Sequence, residues 1–356
     1  MSTLDARPDA GLEQLEQHRV ELRGYCYRML GSAFDADDAV QETLVKAWQG
    51  LDRFEGRSSV RSWLYRIATN VCLDSLRGRT RRALPMDLSS PVPGTTAPGA
   101  PLPEDVWLEP VPEGDVVPVE ADPARRAVLQ DTVRLAFVAA LQALPPRQRV
   151  VLILREVLCW QASEVAELLD TSVASVNSAL QRARATLGER DPEQPPAPLD
   201  DADRALLGRY VAAFEAYDIP SLVALLHEDA SISMPPLALW LRGRQDLQDW
   251  YLGHGIGCRG SRLVPAAVSQ TSAVFGQYHV GPDGTHEPWA LQVVELSGGR
   301  VRHVHHFLDP ALFPRFGLPE RLGPEPGRRP APAPVAPGAT GGSRPPAASS
   351  SGTTAP

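Results

Sequence analysis

The side chains with the most chemistry in this sequence lie between Phe54 and Arg77: Phe54, Arg57, Ser58, Arg61, Trp63, Arg66, Asn70, Asp74 and Arg77. Aromatic rings set among arginines suit nucleic acid. Guanidiniums follow the phosphates while a ring stacks on an unpaired base. Trp63, Leu64, Ile67, Val71 and Leu76 fall near helical spacing in the same stretch. The pattern therefore equally suits an amphipathic helix with a solvated arginine face. The two readings are compatible, because Trp63 and Ile67 can pack inward while the arginines turn to DNA.

A second cluster follows the apolar run Val150 to Leu154. Ser163 is placed to cap one short helix, with Val165, Ala166, Leu168 and Leu169 turned inward, and Asp170-Thr171 make a turn. Ser172 is placed to cap the next helix, whose apolar stripe is Val173, Val176, Leu180, Ala183 and Leu187. The opposite face carries Ser175, Asn177, Ser178, Gln181, Arg182 and Arg184. Small polar groups early and arginines late suit a recognition helix that meets base edges first and phosphates last. An ordinary helical hairpin is the plainer alternative. A third set, His303, His305, His306 and Asp309 with Trp240 and Trp289, has acid/base types able to work near neutral pH. No nucleophile, oxyanion donor and base assemble from it together, so no enzyme activity is expected.

The chain of 356 residues is too long for a single core and implies several units. Residues 12–83 and 124–190 read as helical. Between them, 84–123 is rich in proline and acids, without any period, and reads as a linker. Residues 199–322 open with helices (Asp203 to Tyr217, Pro220 to His227, Asp246 to Leu252) and continue as strands. The strands are expected at Leu263 to Ser269, Ala273 to Val280, Pro288 to Leu296 and Val301 to Leu308, the last two joined by a Ser297-Gly298-Gly299-Arg300 hairpin. Residues 323–356, mostly Pro, Gly, Ser and Ala, are expected to form a disordered tail. The formal net charge of -8 hides segregation, with arginines from Arg53 to Arg82 and only acids from Glu104 to Asp122. Four dispersed cysteines form no CxxC pair, which argues against zinc or a disulfide framework and fits a reducing cytoplasm. No apolar run approaches a membrane span, so a cytosolic protein with no membrane partner is expected.

The residues also carry a resemblance. Asp37-Asp38-Ala39-Val40-Gln41-Glu42-Thr43, then Phe54 to Ser62, then Trp63-Leu64-Tyr65-Arg66-Ile67-Ala68-Thr69-Asn70 resemble, in order and spacing, region 2 of extracytoplasmic-function (group IV) sigma factors. Leu144 to Leu187 resembles region 4 of that family, with Asp170 where the family often has glycine. The resemblance implies two all-α sigma domains plus an α+β SnoaL-like cone domain, the plan to which the third unit and its ending Phe307 to Phe313 are similar. It implies that Asp37, Asp38, Gln41, Glu42 and Leu44 dock on core RNA polymerase, through its largest and second-largest subunits. It further implies that the Phe54 to Arg77 set melts and reads the minus-ten element of promoter DNA. The helix from Ser172 then reads the minus-thirty-five element. Val106-Trp107-Leu108-Glu109-Pro110 resembles a linker motif of sigma factors with this extension, where the linker lies in the RNA-exit path and contacts the extension. An exposed Trp107 with Leu108 is thus expected to be a regulatory contact. The third unit is expected to regulate, with a small-molecule ligand left open and no cofactor or metal implied. A cyclase- or isomerase-like enzyme domain fused to a DNA-binding regulator is the alternative.

Overall fold

A computed structural model describes residues 13–56, 58–119, 121–188, 198–266 and 272–324. Arg57 and nearly all of the expected tail lie outside the described residues.

The first helical unit packs α1 (Arg19–Leu30), α2 (Ala33–Gly50) and α3 (Val60–Ser75) around Leu22, Tyr25, Met29, Val40, Leu64 and Ala68. Gly31 ends α1 at φ 73°, in the left-handed region that favours glycine. Ser32 then caps α2 by accepting from the Asp35 amide at 3.1 Å, and Asp35 sits in the positive first turn. Ser59 caps α3 through the Ser62 amide at 3.0 Å. The second helical unit comprises α4 (Pro123–Asp131), α5 (Leu135–Gln142), α6 (Pro146–Leu152), α7 (Ala162–Leu168) and α8 (Val173–Gly188). Asp170 takes φ 50° in the turn between α7 and α8, which a short polar side chain tolerates. Ser163 is not the cap of α7: the Gln161 amide donates to the Glu164 carboxylate at 2.6 Å instead, so the helix begins earlier than the serine suggests. Ser172 does cap α8, accepting from the Ser175 amide at 3.2 Å.

The two helical units share one apolar core, and a buried polar seam crosses it. The Arg28 guanidinium, 1% exposed, donates to the Gly24 carbonyl, the Leu129 carbonyl and the Thr132 hydroxyl at 2.7–3.1 Å. Arg149 of α6 donates back to the Met29 carbonyl and to Gln142. Both are hydrogen-bonded to neutral oxygens, and burial pulls each guanidinium down to about 10.

The third unit contains α9 (Asp201–Ala216), α10 (Ile219–Ala224) and α11 (Arg244–Leu252) against a six-stranded sheet of order β2-β1-β6-β5-β4-β3. The strands are β1 (Leu226–Ser233), β2 (Trp240–Arg242), β3 (Arg262–Pro265), β4 (Ala273–Val280), β5 (His286–Ser297) and β6 (Arg300–Phe307). The sheet is mixed, not antiparallel throughout, because β1 runs parallel to β6. The strand β1 begins at Leu226, where the sequence suggested helix: its first residues, Leu-His-Glu-Asp, do not alternate. Gly298 and Gly299, at φ 59° and 68°, close the β5–β6 hairpin as expected. One sheet face covers Tyr210, Phe214, Leu247 and Phe275 in a core of its own. The other face, with Val274, Leu291, Val293, Phe307 and the adjoining Phe313 and Phe316, joins the core of the helical units.

The linker is packed, and the expectation of an exposed Trp107 is corrected: it is 4% exposed and Leu108 fully buried. Trp107 pairs with Ala83 as a bridge, its carbonyl accepts from Arg82 at 2.6 Å, and Leu108 fills the space over Gly31. Apolar mass outweighed the acidic, proline-rich surroundings that suggested exposure. Glu109 accepts from the Ser32 hydroxyl at 2.7 Å and the Ala33 amide at 3.1 Å, placing a carboxylate at the N-terminus of α2. The linker meets the third unit further upstream: the Val92 amide donates to the Trp240 carbonyl at 3.0 Å, and Leu102 to Pro236 at 2.9 Å. The Gly94 amide donates to Asp246 at 2.9 Å, and a Cβ on Gly94 would lie 2.0 Å from the Asp246 carbonyl. Leu108→Ala should therefore cost ~2–5 kcal/mol, read as a lower urea midpoint by circular dichroism. A change under ~0.5 kcal/mol would contradict this packing.

Candidate nucleic-acid interface

The α3 surface divides into two sides. Leu64, Tyr65, Ala68, Val71 and Cys72 are buried, while Arg66, Asn70, Asp74 and Arg77 form an exposed stripe. Beside that stripe an open cleft of ≈ 670 Å³ is lined by Arg53, Phe54, Ser58, Trp63, Arg66 and Asn70, among others. Phe54 stacks on Trp63 at 4.8 Å between centroids, so Trp63 is a cleft wall more than a core residue. Aromatic faces beside guanidiniums and an amide can stack on a base, bind its edge and neutralise its phosphate. Arg61 is placed differently: it pairs with Glu21 at 2.9 Å and lies 5.0 Å over the Tyr65 ring. Sequence reasoning passed over Tyr65, whose hydroxyl points at Glu21, 3.4 Å away, and whose burial raises its phenol.

On α8, Ser172, Ser175, Asn177, Ser178, Gln181, Arg182 and Arg184 are all exposed, while Val176, Leu180 and Ala183 are buried. The stripe is one residue shorter than expected, because Val173 is 43% exposed at the helix start. Arg184 pairs with Glu156 at 2.6 Å, which aims it along the helix-turn-helix face.

On α2, Asp38, Gln41 and Glu42 are exposed beside Val45 and Trp48. Leu44 is not available to a partner. It is 8% exposed and belongs to the core, because its place on the helix is that of Val40 and Ala47. Asp37 is engaged within the molecule by Arg23 at 2.5 Å and by Arg315 from α12 (Leu312–Arg315) of the third unit. Arg315 also reaches Asp115 of the linker at 3.4 Å and lies 4.9 Å from the Phe34 ring centroid.

The acid/base candidates of the third unit do not converge. His303 and His305 bond Ser231 at 2.6 Å and Ser233 at 2.9 Å on one sheet face, and His306 points to the other. Trp240 donates to the Ser89 carbonyl at 2.9 Å under the linker, whereas Trp289 stacks on His279 at 4.2 Å several strands away.

Models of sigma-70 region 2 and sigma-70 region 4 match residues 15–82 and 134–187. Over 314 residues the chain is 45% identical to the ECF RNA polymerase sigma factor SigG of Mycobacterium tuberculosis (strain ATCC 25618 / H37Rv), covering 86% of this chain and 83% of that one. The chain belongs to the ECF RNA polymerase sigma factors. Another member, SigJ of the same organism, is 28% identical over 331 residues, 89% of this chain and 96% of that protein. The crystal structure of Mycobacterium tuberculosis extracytoplasmic function sigma factor SigJ shares the fold, with a TM-score of 0.53 at 24% identity, spanning 87% of this chain and all of that one. The α1–α3 unit is therefore sigma region 2 and the helix-turn-helix unit region 4, and the family gives the enzyme alternative no support. No helix among the described residues is long and apolar enough to cross a membrane.

Burial holds the His306 imidazole down to about 3 and His279 down to about 4. In an unfolded chain both would bind protons from about pH 6.5 downwards, so acid favours unfolding. Stability should be full above about pH 6.5 and fall as the pH drops from there towards 4. His306→Asn should flatten that decline in thermal unfolding scans, and an unchanged slope would contradict it.

Proposed function

We propose that this sigma factor directs core polymerase, in the cytoplasm, to promoters through two surfaces on one chain. The cleft of Phe54, Trp63, Arg66 and Asn70 takes an unstacked base of the minus-ten strand, and α8 enters the major groove at the minus-thirty-five element. The observation that carries this reading is the pairing of an aromatic, arginine-lined cleft on α3 with a fully exposed polar stripe on α8. Docking on polymerase falls to Asp38, Gln41 and Glu42, with Val45 and Trp48 as apolar anchors, and to Asp37 once it is released.

Run-off transcription with purified core polymerase and genomic DNA is the test. Discrete start sites are expected. At a mapped promoter, Arg182→Ala should weaken use by ~1–3 kcal/mol if that arginine reads a guanine edge. Random initiation, equal with and without the protein, would contradict the reading.

The third unit tunes these steps in cis. Support comes from its sheet face in the shared core, from the linker laid along it, and from Arg315 on the docking residue Asp37. Arg315→Ala should raise the affinity for core polymerase by roughly fivefold, the scale of one partly exposed ion pair. Fluorescence anisotropy at matched concentrations reads it. Equal affinity would remove Arg315 from the regulation.

A further inference from the structure

We infer that Gly50 is a positioning residue for promoter opening: having no side chain, it sets where the Trp63 indole stands in the cleft. The inference rests on the reading under Proposed function that this cleft takes an unstacked base.

Gly50 is the last residue of α2, at φ -96° and ψ -4°, in the right-handed region where no position requires glycine. Alanine would fit that backbone and cost less chain entropy to order. The backbone therefore gives no reason for glycine here, and the surroundings give one. A Cβ on Gly50 would lie 3.2 Å from Cζ2 and 3.7 Å from Cη2 of Trp63. Beyond its own turn of helix and its chain neighbours, it would meet nothing else within 4 Å among the described residues. The missing side chain thus serves one neighbour, and that neighbour is the cleft wall.

The elements on either side fix the ring against this spot. Ser59 caps α3 through the Ser62 amide at 3.0 Å, and the Trp63 amide donates to the Ser59 carbonyl at 3.0 Å. Trp63 therefore stands in an ordered first turn, and its indole reaches across to the connection that leaves α2. The single turn Leu51–Arg53 carries that connection round, with the Phe54 amide donating to the Leu51 carbonyl at 3.1 Å. Phe54 then stacks on the indole, 4.8 Å between centroids and 29° between planes. Gly50 meets the six-membered end of the indole, and Phe54, four residues on, meets the ring itself. All three residues line the cleft beside Arg66 and Asn70. Two carbons at 3.2 Å are closer than their contact optimum of about 3.5–4.0 Å, so a methyl at this position pushes the ring by a few tenths of an ångström. Stacking depends on ring overlap at contact distance, and a displaced wall holds the base less well.

The test is the opening of a mapped promoter by core polymerase and the full chain, read as 2-aminopurine fluorescence from the minus-ten strand. Gly50→Ala should lower the opening equilibrium roughly threefold, a fraction of what stacking one base supplies. Trp63→Phe, which removes the six-membered end, separates a role through the indole from a general one. In that background Gly50→Ala should have no further effect, so the two changes are not additive. An equal threefold loss in both backgrounds would overturn the positioning role, because the methyl would then act elsewhere than on the indole. Native opening by Gly50→Ala beside impaired opening by Trp63→Ala would also overturn it, and would leave the cleft reading standing. Native opening by both Gly50→Ala and Trp63→Ala would overturn the cleft reading and the positioning role with it.

Discussion

The arrangement of the whole chain depends on one buried cation. Arg28 sits at the end of α1 with its guanidinium out of water, where each unsatisfied donor costs ~1–3 kcal/mol. Its acceptors beyond its own helix are the Leu129 carbonyl and the Thr132 hydroxyl, both on the region 4 side. One residue on, the Met29 carbonyl accepts from Arg149. Two arginines, one from each unit, thus cross at one point of the core and fix the units in a single register. The seam crosses an apolar core that both units share, so it specifies their register while apolar burial holds them together.

The linker and the third unit build on that seam. Residues around Trp107 to Glu109 lie across the α1–α2 corner, where Leu108 occupies the volume that a side chain on Gly31 would need. The stretch around Val92 and Gly94 lies on the third unit instead, close enough that Gly94 tolerates no Cβ. One connector therefore holds region 2 and the third unit together, while the outer sheet face fills the same core from another side. The network of Arg23, Asp37, Asp115 and Arg315 joins region 2, linker and third unit at the start of α2.

Much of this was legible in the sequence for identifiable reasons. The α3 and α8 stripes carry helical periods with arginines on one side, and Ser172 marks a true helix start, although Ser163 does not. The SGGR hairpin needs left-handed backbone at two positions, and glycine supplies it at both. What could not be read were features decided by distant partners. Nothing near Trp107 in sequence shows that Ala83 will pair with it. The strand β1 is specified by its parallel neighbour β6, some seventy residues on, and not by alternation of its own. Leu44 entered the docking set through the resemblance, although its helical position lies with Val40 and Ala47 on the buried face. Glu109 as a carboxylate at the start of α2, and Trp160 over Tyr65, are tertiary contacts with no local signal at all.

The most direct measurement of the central claim is permanganate footprinting of a promoter bound by core polymerase and the full chain. Thymines around the minus-ten element should become reactive with the native chain, and stay protected with Trp63→Ala, whose cleft has lost the wall against which an unstacked base rests. Equal thymine reactivity with both proteins, or none with either despite a bound complex, would contradict the account.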